Sequence, residues 1–120
     1  MAFKSVLQTI VRESCGCLGV VIMGYDGIAI EECLQEGGGF DVQMLTVEYA
    51  SVLKEIKRTV GVLKTGELEE VSIISEQCTV IVRGISDDFF VALVMGADGN
   101  FGKGRYLLKR EASRLREALQ

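Results

Sequence analysis

Two stretches of this chain are apolar at successive positions: Leu18 to Met23, interrupted only by Gly19, and Phe89 to Met95. A strand with one wet face alternates, so unbroken runs this short describe strands covered on both faces. The chain must therefore build a sheet with helices on either side of it. The flanking segments can supply them. Phe3, Val6, Leu7, Ile10 and Val11 recur at helical spacing, which predicts a first helix over 2–14, ended by Gly16. Tyr25-Asp26-Gly27 offers the positive φ angles of a tight hairpin, leading into a return strand from Ile28 to Leu34. Beyond the Gly37-Gly38-Gly39 break, Asp41 can cap a long second helix. Val42, Leu45, Tyr49, Val52, Leu53, Ile56, Val60 and Leu63 share one face of it, and Gly66 is expected to close it.

Three further strand-like runs follow, Leu68 to Glu76, Cys78 to Ile85 and Phe89 to Met95. Their connectors, Gln77 and Ser86-Asp87-Asp88, are too short for anything but antiparallel hairpins. Leu107, Leu108, Ala112, Leu115, Ala118 and Leu119 then mark a third helix with one apolar side. The expected architecture is α+β, a three-layer α-β-β-α-β-β-β-α sandwich around a five-stranded antiparallel sheet. The long helix should lie on one face and the two terminal helices on the other.

At 120 residues the expectation is one domain spanning 1–120. The chain has no histidine, which excludes histidine triads, histidine-ligated zinc and imidazole proton relays. A net charge of −4 is the wrong sign for a general nucleic-acid binder. Residues 101–120 nevertheless carry six basic and two acidic side chains, so any electrostatic partner would be addressed locally. No apolar run approaches the ~20 residues needed to cross a bilayer, and Met1-Ala2-Phe3-Lys4 does not open a secretory signal, so a cytoplasmic location without membrane insertion is expected. Four cysteines fit reduced, buried packing roles; Cys15 and Cys17 as a redox or metal pair is the alternative. No cofactor or metal is expected.

Sites for chemistry are weak. Gly99 to Gly104 fails as a phosphate loop, because Ala97 and Gly104 stand where glycine and Ser or Thr are required; its glycines are better read as a sharp turn into the third helix. Glu31-Glu32 would point to opposite faces of a strand, and Asp87-Asp88 sits at a hairpin tip. Arg83 reads as a residue capping the sheet edge in solvent.

The surface is more informative. Met44, Val47 and Val62 lie outside the second helix's buried stripe, beside a basic band of Lys54, Lys57, Arg58 and Lys64. Met44, Val47, Lys54, Lys57 and Arg58 are candidate partner contacts, against the plainer reading of a solvated face with scattered hydrophobes. Val71-Ser72-Ile73-Ile74-Ser75 has neither proline nor inward charge, so at a sheet edge it would favour pairing with a second copy. Lys109, Arg110, Arg114 and Arg116 form a basic face on the third helix, a further contact candidate or simply a solvated surface.

In order and spacing, this set resembles the roadblock/dynein light chain family, and in particular bacterial relatives of a gliding-motility regulator of a Ras-like GTPase. The resemblance spans nearly the whole chain and is carried by Gly19 to Ile30, Leu68 to Ile74, and Asn100-Phe101-Gly102 leading into Arg105 to Leu108. It implies strand order 2-1-5-4-3 and a homodimer joined through the third strands, with residues 71–75 as the paired edge and the second helices side by side. It further implies a non-enzymatic regulator or scaffold of a Ras-like small GTPase, with activation of GTP hydrolysis as one form of that regulation. The Gly37–Gly39 loop and the Cys15-Gly16-Cys17 segment depart from the family pattern. A structural adaptor in a motility or signalling complex and a small-ligand sensor are the alternatives.

Overall fold

The computed structural model describes residues 2–37 and 39–119, so Gly38 of the glycine break lies outside the described residues. The elements are α1 (Ala2–Glu13), β1 (Cys17–Gly24), β2 (Ala29–Leu34), α2 (Val42–Leu63), β3 (Glu70–Ile74), β4 (Cys78–Gly84), β5 (Phe89–Gly96) and α3 (Phe101–Leu119). The strands form one antiparallel sheet in the order β2-β1-β5-β4-β3. This is the expected α+β sandwich. β1 and β5 occupy the middle, and their successive apolar residues divide between two cores. Val20, Ile22, Val91, Leu93 and Met95 pack with α1 and α3, while Val21, Met23, Phe90, Ala92 and Val94 pack beneath α2.

Local chemistry sets the helix ends. Asp41 Oδ1 accepts the Met44 N–H at 3.0 Å and so satisfies one of the donors a helix N-terminus leaves unpaired. At the other end the left-handed residue is Lys64, with φ 55° and its N–H on the Gly61 carbonyl at 3.3 Å, instead of the expected Gly66. Asn100 Oδ1 accepts the Lys103 N–H, so α3 starts at Phe101. Gly102 and Gly104 are therefore helical, not part of a turn. A Cβ on Gly104 would stand 2.9 Å from Leu93 Cδ2 and 3.0 Å from Ile81 Cδ1, and its absence lets α3 settle onto the sheet.

The expected apolar stripe of α2 needs correcting. Val42 and Leu53 are buried, but the other buried positions are Thr46 and Ala50. Val52 and Leu63 remain 51% and 64% exposed, while Leu45, Tyr49, Ile56 and Val60 are half-buried. At 100° per residue the buried face is rotated by roughly 60° from the apolar one. Thr46 can sit inside because its hydroxyl donates to the Val42 carbonyl at 2.9 Å. Short side chains at 46 and 50 allow close contact with the sheet, which leaves the bulkier stripe on the helix flank.

Arg83 also departs from expectation. It is largely buried, not solvated, and stands opposite Glu70 in the β3–β4 register with Nη1 4.0 Å from the Glu70 carboxylate. The basic face of α3 is mostly engaged. Arg110 bonds Glu13 of α1 at 3.0 Å and the buried Glu111 at 2.7 Å, Arg114 reaches Glu111 at 3.2 Å, and Arg116 donates to the Gly84 carbonyl. Of the cysteines, Cys17 and Cys78 are buried, whereas Cys33 is half-buried and Cys15 exposed.

Candidate functional site

Two surfaces contain the residues expected to meet partners. The first lies where the second half of α2 crosses the turns at one end of the sheet. Gly27 adopts φ +88° and donates to the Gly24 carbonyl, and Asp26 Oδ1 accepts the Ile28 N–H, which fixes the β1–β2 turn. The Tyr25 N–H donates to the Asp88 carbonyl at 3.1 Å, tying that turn to the β4–β5 connection. The Tyr25 ring packs on Phe90 with centroids 5.2 Å apart, and Lys57 Nζ lies 5.5 Å from the Tyr25 centroid. Burial, and secondarily the Asp87 charge, push the Tyr25 hydroxyl's pKa up.

Lys54, Lys57 and Arg58 line a cleft with Tyr25, Asp26, Asp87 and Asp88. Lys57 Nζ is 3.7 Å from the fully solvated Asp87 and Arg58 Nε is 2.9 Å from Glu55, both surface pairs of little net strength. Lys54 makes no ion pair among the described residues. This cleft brings together two features that appear separate along the chain, the helix cations and the Asp87-Asp88 tip. Val47 lies on the same flank, its Cγ1 3.9 Å from where a Cβ on Gly27 would stand. Met44 does not join them; it is exposed on the outer face of the helix.

The second surface is the β3 edge. Its register with β4 and the Ser75 N–H to Cys78 carbonyl and Gly84 N–H to Glu69 carbonyl bonds turn the odd-numbered residues inward to β4. The backbone groups of Glu70, Ser72 and Ile74 therefore point away from the sheet. Among the described residues no side chain bonds to them. Val71 and Ile73 project toward α2 and are half-buried there, whereas Ser72 and Ile74 are exposed.

The two surfaces meet through α2. One flank of the helix faces β2 and the β1–β2 turn, through Gln43 on Glu32 and Val47 at Gly27. On the opposite flank Leu45, Tyr49 and Ile56 join the core cluster that includes Val71 and Ile73 of β3, and by helical phase Val52 and Leu63 share that side of α2. Spacing alone assigns Val52 and Leu63 to the core; the sequence signal that places them on the flank is the pair of small residues, Thr46 and Ala50, that marks the real contact line.

The chain is 37% identical to MglC from Myxococcus xanthus, over 98% of this chain and 99% of that one, with a TM-score of 0.74. The gliding protein MglB from Thermus thermophilus shares the fold at 16% identity and a TM-score of 0.83, covering 97% of this chain and 87% of its own. A Roadblock/LC7 domain from Streptomyces avermitilis does so at 15% identity and 0.78, covering 96% and 95%. No family profile and no curated protein sequence matches the chain. With the MglC identity extending over essentially its whole length, and with this element order and strand topology, the chain belongs to the roadblock/LC7 family.

Proposed function

We propose that this protein is a non-enzymatic, cytoplasmic homodimeric regulator or scaffold of a Ras-like small GTPase, formed by the single domain 1–120. One observation carries the reading: the apolar stripe of α2 is only partly covered within one chain, and its uncovered flank adjoins the open edge of β3. Pairing of two β3 strands around a two-fold axis would satisfy the Glu70, Ser72 and Ile74 backbone groups and place Val52 and Leu63 against their counterparts. The sheet would become continuous across ten strands, with both α2 helices on one side. Met44 on the outward face of each helix, together with the adjoining cleft flank of Val47, Lys54, Lys57 and Arg58, would form the GTPase-docking surface. The likeness to gliding protein MglB supports a motility or signalling setting.

The first test is light scattering at micromolar concentration, where twice the chain mass is expected; a stable monomer overturns the reading. The second is to mix the protein with the GTP-loaded Ras-like GTPase of its own organism. A changed hydrolysis or exchange rate supports regulation, co-elution without a rate change supports a scaffold, and neither effect removes the GTPase reading.

A further inference from the structure

From Glu13 to Leu53 the chain has seven acidic residues and no lysine or arginine. That stretch makes β1, β2 and the first half of α2, so the β2 side of the molecule is predominantly acidic, with Lys4 of α1 paired to Glu31 there at 3.6 Å. It is also where exposed apolar side chains gather. Leu34 shares the α2 face of β2 with Glu32, which stands opposite Val21, and Leu34 Cδ2 and Val42 Cγ1 both border Gly19; Ile30 follows at the bulge where the register passes from Glu31 to Ala29. With Phe40 and Val47 they are 40–46% exposed. Glu32 lies among them. Gln43 donates to its Oε1, but its Oε2 has no donor among the described residues.

We infer that this β2–α2 flank is a docking surface for a basic amphipathic helix of a partner protein. Apolar residues with an acidic surround fit an apolar stripe flanked by lysine and arginine. A partner strand fits less well, because the outward backbone groups at the middle of β2, those of Glu32, are occupied. The Glu32 carbonyl accepts Lys4 Nζ at 2.7 Å and the Glu32 N–H is held by the Glu31 carboxylate at 3.1 Å. A helix packs by side chains alone and leaves those bonds intact. The surface is separate from the β3 edge and meets the proposed GTPase-docking face around Met44 and Val47; Ile30, Glu32 and Leu34 lie outside that face, so their variants test this surface apart from the GTPase reading.

The test uses two fluorescein-labelled 18-residue peptides with leucine at helical period, one filled with lysine and one with glutamate, in anisotropy titrations of the full chain at 0.15 M salt. The lysine peptide is expected to bind at least ten-fold more tightly. Ile30→Ser with Leu34→Ser should weaken it at least ten-fold, Glu32→Gln with Glu36→Gln several-fold, and Val62→Ser, a control apolar loss at the far end of α2, less than two-fold. Amide shifts in NMR should be confined to 28–36 and 40–47. Equal binding of both peptides, no binding of either, or an undiminished affinity in the Ile30→Ser, Leu34→Ser protein overturns the inference. Far-UV circular dichroism of the variants separates lost binding from lost fold.

Discussion

The two edge strands of the sheet are treated in opposite ways. β2 has its outward carbonyl and N–H at Glu32 bonded by Lys4 and Glu31, and α1 lies against its inner face. β3 offers Glu70, Ser72 and Ile74 with no such cap, beside a half-covered apolar helix flank. An open strand edge templates further pairing, and proteins blunt the edges they do not use. A sheet with two open edges could add copies without limit, whereas one blunted edge and one open edge close at two. The difference teaches that, in the proposed assembly, the asymmetry of the edges, more than the stickiness of either, would select a dimer over a filament.

The largest effect should come from breaking the open edge. Ser72→Pro removes an outward N–H that no intrachain bond uses, so the fold should persist while association falls by on the order of 100-fold or more. Light scattering would read a monomer with unchanged circular dichroism; a persistent dimer would show that β3 is not the contact. Next, Leu53 and Val52 are sequence neighbours with opposite surroundings. Leu53→Ala, at a fully buried position, should cost about 2–5 kcal/mol of folding stability in denaturant titrations. Val52→Ala should change folding by less than about 0.5 kcal/mol yet weaken the dimer measurably. Equal effects of the two on folding would mean that the flank belongs to the monomer's core.

The guarded edge gives a smaller response. Lys4→Ala with Glu31→Ala should change stability by no more than ~1 kcal/mol but produce tetramers or larger species at high protein concentration, visible in sedimentation. Absence of such species would mean that β2 is blunted by something other than these two side chains. Smallest is a thiol effect. Burial pushes the Cys17 thiol up to about 11, mainly through desolvation, and raises Cys78 for the same reason. The folded state thus favours the protonated thiols. Their contribution to stability is whole below about 9, the ordinary thiol value, and is lost as pH rises above it, for Cys17 toward about 11. Labelling at pH 8 should modify exposed Cys15 first, then Cys33 on the β2 edge, and Cys17 and Cys78 only on wider opening.

Much of this arrangement was legible along the chain. The apolar runs of β1 and β5 dictate a two-faced sheet because every residue of a strand must face one side or the other. The Asp26-Gly27 turn, the Asp41 cap and the short connectors of β3, β4 and β5 leave little freedom in the antiparallel pairing. The resemblance resting on those elements agrees with the strand order and with the family. The candidate sites were less legible. Lys57 and Asp87 are thirty residues apart and meet only because Tyr25 ties two turns beneath α2. The basic side of α3 reads as free along the chain, but Glu13 of α1 and the buried Glu111 pair with Arg110 and Arg114 in the fold.

What the sequence determined by itself was everything governed by local periodicity: which segments are helix or strand, which faces are apolar, and how neighbouring strands pair. Tertiary structure alone decided which part of an apolar face is covered. That choice depends on how closely two elements can approach, and here it turned on two short side chains, Thr46 and Ala50. By letting α2 roll onto the sheet, they leave Val52 and Leu63 facing outward beside the unpaired backbone of β3.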